Sequence, residues 1–442
     1  MSIRSTIYVL LICLLALSAG TVSAQVYLDT VALTGASAPG LPGGYTYNYV
    51  TDESLRISDN GICAFYCQVR GNNPIDSVLY RGLPRGPLEV VATDEMQIPG
   101  LPPGVELGRV FGSHDIGFSE SGFVVFYAAL SGPNVGPSGD LCIVSDGRGF
   151  GPVAIAREGE QVPGLSDGVL YAGFARNPRI NSEGEAVFFV SLEGDGVGSL
   201  NDKALCIDIP GAGVSVLARE FDQAQGFERG IRYAGMSELF QLNNSGHLVF
   251  FTKLGGVGVT TDNNEAAVLY EIGEAHTVVA RTGNQVQGMT EDVYFSDLKN
   301  WSFRVSNTGS VLGEAYVAGP GVTLDDDQLL LYWPDLTPTI LTREGEQAAG
   351  LPAGVEYSGF WPPRIGDNDQ IVFAATLRGQ GVSDSNDKAL YQYGEDGLRL
   401  IAREGDSIPG SSGLLYYTNL GLGDERTGIT AEGHVAFTAE IS

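Results

Sequence analysis

Along the whole chain, short apolar runs are broken by polar turns, with no sustained helical periodicity, and this predicts strands throughout. The commonest run has a fixed preface: an apolar residue, a small polar one, two more residues, Gly, then β-branched and aromatic residues ending in Phe. Ile180-Asn181-Ser182-Glu183-Gly184-Glu185-Ala186-Val187-Phe188 and Leu242-Asn243-Asn244-Ser245-Gly246-His247-Leu248-Val249-Phe250 show it best. The turn position falls at Gly61, Gly122, Gly184, Gly246, Gly309, Asp369 and Gly433. The apolar lead falls at Ile57, Phe118, Ile180, Leu242, Val305, Ile365 and Ile429, and Gly313 replaces the closing Phe in the fifth copy. Asn, Ser or Thr can cap such a turn with a side-chain oxygen, and Gly accepts the left-handed backbone that follows. The pattern reads as a hairpin.

A second segment, Ala-Arg-Glu-Gly-x-Gln-x-Pro-Gly, recurs between the hairpins and is clearest at Ala156 to Gly164 and Ala402 to Gly410. Weaker copies end at Gly40, Gly100, Gly226, Gly288 and Gly350, so successive copies lie 60 to 64 residues apart. A third element follows each of the first six hairpins, as in Val78-Leu79-Tyr80, Val268-Leu269-Tyr270 and Ala389-Leu390-Tyr391. Each repeat of about 62 residues thus holds four short strands. Seven such units predict an all-β chain folded as a seven-bladed β-propeller. A solenoid is the competitor, but its repeats are usually shorter and its ends capped. The Leu-Tyr element is missing after the seventh hairpin. Ring closure therefore calls for Val26 to Thr34 to pair with the last repeat, the alternative being an incomplete C-terminus.

Composition narrows the setting. The chain has 442 residues, 43% hydrophobic and 18% charged, enough apolar material to exclude wholesale disorder. Its net charge of −28 and pI near 4.3 argue against nucleic acid or an anionic membrane as partner. Residues 1–24 read as a secretory signal: Arg4, an apolar run from Ile7 to Ala19, and Val22-Ser23-Ala24 before Gln25. That run is shorter than the ~20 residues a spanning helix needs, so cleavage is expected and the mature chain, 25–442, is a single exported domain with no membrane insertion. Four cysteines remain: Cys63, Cys67, Cys142 and Cys206. Cys63 and Cys67 would stand ~13 Å apart on one strand, too far to bridge each other, and the set reads as small buried residues.

The hairpins at Asn181 to Phe188 and Thr430-Ala431-Glu432-Gly433-His434-Val435-Ala436-Phe437 resemble those of bacterial choice-of-anchor tandem-repeat proteins, which carry an Asn-x-x-Gly-x-x-Ala-Phe motif. The resemblance covers essentially the whole mature chain. It implies an exported, periplasmic or surface-associated bacterial protein and no defined catalytic activity.

Candidate chemistry is sparse. The loops between hairpin and Leu-Tyr strand are rich in Gly, Asp and Asn. Asp202, Asp325, Asp327, Asp384 and Asp387 are the residues that would ligate calcium there, since hard cations take clustered oxygens. The same composition also suits a solvated loop closed by Asx turns. Arg157, Arg219, Arg281, Arg343 and Arg403 share one repeat position. They can form an anion-binding ring or pair with acids such as Glu158 and Glu344 between neighbouring repeats. His247 and His434 follow turn glycines and read as exposed strand residues. No nucleophile elbow, zinc-protease motif or phosphate loop is present. Trp301, Trp333 and Trp361 are the ligand-binding candidates, because an indole with a wet edge stacks on sugars or anchors partners. Trp301 and Phe303 break the pattern in the very repeat that loses its closing Phe.

These features favour a secreted, non-catalytic binding or scaffold module that recognises extracellular glycan or protein. The rival is a polysaccharide hydrolase or lyase that uses Asp and Glu, with calcium as its cation. Convergence of pattern-breaking acids on one pocket would favour the rival.

Overall fold

The computed structural model describes residues 9–14, 27–50, 54–58, 60–71, 75–84, 86–110, 116–133, 135–290, 292–409, 411, 413–421, 427–430 and 433–442. Among them there is no α-helix; the chain is all-β, built from antiparallel sheets. It divides into two compact units, Met1–Arg219 and Glu220–Ser442.

The first unit holds three sheets, one per repeat, and a ribbon in which Val9–Leu14 pairs with Tyr27–Leu33. The third repeat shows the plan. Val169–Phe174, Ala186–Gly194, Lys203–Ile209 and Gly213–Arg219 lie side by side in sequence order. A short strand, Arg179–Ile180, takes a further stretch of Ala186–Gly194. The hairpin pattern led by Ile180 marks only the second of these two first-strand pieces. The second unit holds four sheets. In its first, the two pieces are continuous as Ile231–Leu242, with a register shift between Met236 and Phe240. Its last, among the described residues, has Tyr417–Gly421, Thr427–Ile429 and Val435–Ile441, the first two pairing with successive stretches of the third. Tyr27–Leu33, part of the Val26 to Thr34 segment that the sequence offered to that last repeat, pairs instead with Val9–Leu14.

Hairpin capping follows the expected chemistry. Asn181 Oδ1 accepts from the Glu183 and Glu185 amides at 3.1 and 2.9 Å. Asn243 Oδ1 accepts from those of Ser245 and His247 at 2.9 and 2.8 Å. The turn glycines are left-handed, with φ of 80° at Gly184 and 85° at Gly246, and Asp369 holds the same conformation at 61°. The hairpin tips also bond to one another. In the first unit, Asn60 Nδ2 donates to Glu120 O at 3.1 Å, and Gly147 and Gly184 pass so closely that a Cβ on Gly147 would sit 2.2 Å from the Gly184 carbonyl. In the second unit, Asn243 Nδ2 donates to Ser306 O, and the Asn244 amide donates to Asn307 Oδ1 at 3.0 Å. Asp369 then receives three hydroxyls from the preceding tip: Ser306 at 2.5 Å, Thr308 at 2.8 Å and Ser310 at 3.1 Å.

The Arg-Glu-Gly segment works differently from expectation. Its arginines do not reach across to Glu158 or Glu344. Each closes a loop of its own repeat through a backbone carbonyl: Arg157 on Gly139 at 3.2 Å, Arg219 on Asn201 at 3.1 Å, Arg281 on Asn263 at 2.8 Å and Arg403 on Asn386 at 2.9 Å. Arg343 does the same on Asp326 and adds that residue's carboxylate at 2.7 Å. A guanidinium fork suits a carbonyl as well as a carboxylate. The segment's Gln clips the following turn: Gln161 Oε1 accepts from Gly168 N at 2.8 Å while its amide donates to Ser166 O at 3.0 Å.

The second and third strands of each complete repeat are buried on both faces, so sheet packs on sheet. Val125, Tyr127 and Ile143 of the second repeat join Val169, Tyr171 and Phe188 of the third in one cluster. In the second unit, Val249 and Phe251 join Phe295, Phe303, Leu329 and Trp333. This explains the fifth repeat. Gly313 stands where Phe is usual, and the Phe303 ring occupies the vacated space, its edge 2.7 Å from where a Gly313 Cβ would be. Phe303 stacks on Trp333, centroids 5.6 Å apart, and meets Phe251 edge-on at 4.7 Å. The four cysteines are free and buried, as their spacing suggested, and burial pushes the Cys206 thiol up to about 12.

His276 is buried between Phe250 and Tyr270, edge-on to both, and its Nδ1 shares a hydrogen bond with the Tyr233 hydroxyl, 2.9 Å away. Burial pushes its imidazole down from the ordinary 6.5 to about 4. The unfolded chain therefore protonates first as pH falls. The stability that the neutral ring contributes is complete above pH 6.5 and is lost between there and pH 4, to the extent of about 3 kcal/mol. Denaturant unfolding at pH 7 and pH 4.5 should show a smaller loss for His276→Phe than for the parent; equal losses would refute the assignment. Asp369→Ala should lower stability by roughly 2 kcal/mol, because three hydroxyls lose a charged acceptor. An unchanged denaturation midpoint would show that the tip-to-tip bonds contribute nothing.

Candidate functional site

A cavity of about 400 Å³ opens in the second unit between the fourth and fifth repeats. One wall comes from Gly235, Met236 and Ser237, where the bulge of Ile231–Leu242 exposes backbone, and from Thr252 and Lys253 on His247–Gly256. The facing wall is Asp297 and Leu298, ending Tyr294–Leu298, and the linker Lys299-Asn300-Trp301. Glu265 stands at the start of the third strand. The linker bulges because it carries more residues than Trp361-Pro362-Pro363, its counterpart in the sixth repeat. The extra length lets Phe303 turn inward to cover Gly313 while Trp301 stays outside, 41% exposed on the cavity rim.

The charges are arranged in couples. Lys253 Nζ lies 3.6 Å from Glu265 Oε1, and Lys299 Nζ lies 3.2 Å from Asp297 Oδ2 and 4.0 Å from the Tyr316 ring centroid. Thr252 Oγ1 is engaged with Gly235 O at 2.9 Å, which ties the two strands at the cavity floor. A polar cleft with an indole edge, two ammonium groups and two carboxylates of balancing charge matches a polyhydroxylated neutral ligand. Vicinal hydroxyls both donate and accept, and a ring's apolar face stacks on indole.

The other tryptophans separate. Trp333 is 0% exposed, locked under Phe303, and its grouping with the ligand-binding indoles is corrected: it is a core residue. Trp361 is 39% exposed in the linker of the sixth repeat and takes no part in the cavity. The acids proposed for calcium lie in loops closed from within. Asn201 Oδ1 accepts from Gly198 N at 2.7 Å, and Asp326 Oδ1 and Asn386 Oδ1 accept from Thr323 N and Ser383 N at 2.6 and 2.7 Å. Asp202, Asp327 and Asp387 follow those closing residues, Asp325 faces Arg378 at 3.4 Å, and Asp384 is exposed. Among the described residues no three acidic, His or Cys side chains gather as a metal site. In the first unit, burial, with Asp140 alongside, pushes Glu158 up to about 7.

Sequence reasoning singled out Trp301 but missed its neighbours, although a signal was there. Asp297 stands where the third, fourth and sixth repeats carry Gly173, Gly235 and Gly359 and the last carries Asn419, and Glu265 where the third, fifth and sixth carry Lys203, Gln328 and Lys388. Residues that break a repeat on both sides of one junction mark the cavity.

The fold and this site define an all-β protein of successive antiparallel sheets with a polar, indole-rimmed cleft. The chain belongs to a family of unknown function (DUF7453), whose model matches residues 21–337 and 331–442. No curated protein is similar to it in sequence. Solved structures similar to it include puromycin hydrolase, at 13% identity and a TM-score of 0.38 over 90% of this chain and 52% of that one. The chain thus spans about half of that protein's length. The polysaccharide lyase Uly1 overlays at 11% identity and a TM-score of 0.38, covering 92% and 94% of the two chains. The six-bladed β-propeller lectin of Aleuria aurantia, described with a fucose recognition mode, overlays at 12% identity and 0.24, covering 81% and 96%. Superpositions this loose bear on neither ligand nor activity.

Because Asn201, Asp326 and Asn386 close these loops without a cation and no three acidic side chains gather among the described residues, melting temperatures in millimolar calcium and in chelator should coincide. A calcium-dependent rise of several degrees by calorimetry would show native-state binding instead.

Proposed function

We propose that this chain is an exported seven-bladed β-propeller that binds extracellular glycan, without cleaving it, at the Trp301 cavity. The observation that carries the reading is the cavity itself: a half-open indole beside charge-balanced polar groups, in a space at the lower end of ligand-pocket sizes, roughly 300–1,000 Å³. That is room for one or two sugar rings. Seven consecutive antiparallel sheets, packed face to face within each unit, support the propeller, and the resemblance to choice-of-anchor repeat proteins supports export behind a cleaved leader of residues 1–24.

A second reading has its own observation. Glu265 and Asp297, two acids that break the repeat, share one cavity, and glycoside cleavage needs two carboxylates flanking the bond. Against it, each acid is coupled to a lysine, which suits holding hydroxyls better than exchanging protons.

Retention of the mature chain on immobilised polysaccharides, with soluble products followed over time, separates the two. Trp301→Ala should weaken retention about tenfold, the loss of one stacking contact, and no product should appear. Product release abolished by Glu265→Gln or Asp297→Asn would establish the hydrolase or lyase. Retention unchanged in Trp301→Ala would remove this cavity from the binding site.

A further inference from the structure

The sixth and seventh repeats meet at a different kind of site. Lys388, on Lys388–Gly394, directs Nζ at Glu404 Oε1, 3.2 Å away, and at Asn419 Oδ1, also 3.2 Å away. Asn419 belongs to Tyr417–Gly421, the first strand of the last sheet. Glu404 is 1% exposed. Its Oε1 also accepts from the Leu420 amide at 3.0 Å, which seats the carboxylate against the residue beside Asn419. Its Oε2 is buried and has no hydrogen-bond partner. A lysine amine, a side-chain amide within contact and a buried acid with one oxygen in reserve are the three parts of an amide-exchange reaction. Within the second unit this set occurs once: the corresponding places hold Glu265, Thr282 and Asp297 at one junction and Gln328, Glu344 and Gly359 at the next.

We propose that Lys388 and Asn419 join in an intramolecular isopeptide bond, promoted by Glu404. Glu404 is buried while Lys388 is partly exposed, so the carboxylate of the pair is poorly solvated, and passing one proton from Nζ to it gives a neutral amine and a neutral acid. The amine lone pair attacks Asn419 Cγ, forming the new C–N bond. The bond from Cγ to the amide nitrogen breaks. Glu404 gives its proton to the leaving nitrogen and takes the proton that the attacking nitrogen sheds. Ammonia departs and carries the remaining proton away as ammonium, so Lys ammonium plus Asn amide become a secondary amide plus ammonium, with no oxidant or reductant. The product staples the three-stranded last sheet to its neighbour, where Leu390 and Ala402 pack against Leu420.

The test is the peptide map of the purified full chain. A branched peptide joining the Lys388 and Asn419 segments is expected, lighter than the two linear peptides together by a further loss of about 17 Da, that of ammonia. Because cyclisation of an N-terminal Gln25 loses the same mass, the branched peptide and not the intact mass decides. Lys388→Arg and Asn419→Ala should abolish it, and Glu404→Gln should leave both residues unreacted. Recovery of Lys388 and Asn419 only in linear peptides of the parent protein would overturn the proposal. An undiminished branch in Glu404→Gln would overturn the role given to the acid.

Discussion

Everything in this fold rests on strands that are apolar on both faces. Ala186–Gly194 begins with five consecutive buried residues, and Gln328–Trp333 is buried throughout. A sheet with such strands at its centre cannot stand in water alone; each face must be covered by the next copy of itself. The remaining regularities serve that need. Hairpin tips bond to neighbouring tips at an offset of one repeat and so hold adjacent sheets in register. Arginine and glutamine side chains satisfy loop carbonyls within a repeat, so that loops can leave the sheets without stranding polar groups.

Much of this was legible in the chain. Asn181 and Gly184 announce a capped left-handed turn because only a few residue types supply a local acceptor and a positive φ. The seven-fold recurrence of the hairpin gave the sheets their order. Other features were closed to sequence reasoning for physical reasons. An arginine beside a glutamate suggests an ion pair, yet the guanidinium's partners are carbonyls 17 or 18 residues back, which any residue type can offer. The three tryptophans look alike as letters, and Trp333 differs only in facing a neighbour that supplies Phe303. The missing Phe at Gly313 and the extra aromatics nearby were visible together, but that one replaces the other is a statement about space.

The proposed binding surface lies where copies diverge. One junction position faces across to the next repeat's first strand from the start of the third strand, and a second follows the arginine. With Glu265, Thr282 and Asp297 in these places, small and acidic groups leave an open cleft. With Gln328, Glu344 and Gly359, the gap is filled: Gln328 bridges the buried Glu314 at 2.8 Å and the Phe360 amide at 3.3 Å. With Lys388, Glu404 and Asn419, oppositely charged and amide groups draw together. A common backbone thus supports an opening, a plug and a clasp, according to which three side chains are present.

The last sheet carries a consequence of a colloidal kind. Val435–Ile441 has its partners along successive stretches, as its counterparts do, but among the described residues no strand lies where the third strand of other repeats would be. Among the described residues its outer N–H and C=O groups meet no strand, and an edge of that kind is a template for strand addition. Glu440 is the acidic residue on that strand, and the whole molecule carries a net charge of −28. Repulsion between copies at low ionic strength guards the edge, and salt that screens it removes the guard. Long-range repulsion between copies is thus a separate matter from the local charged contacts, such as those of Asp369, that tie the sheets to one another.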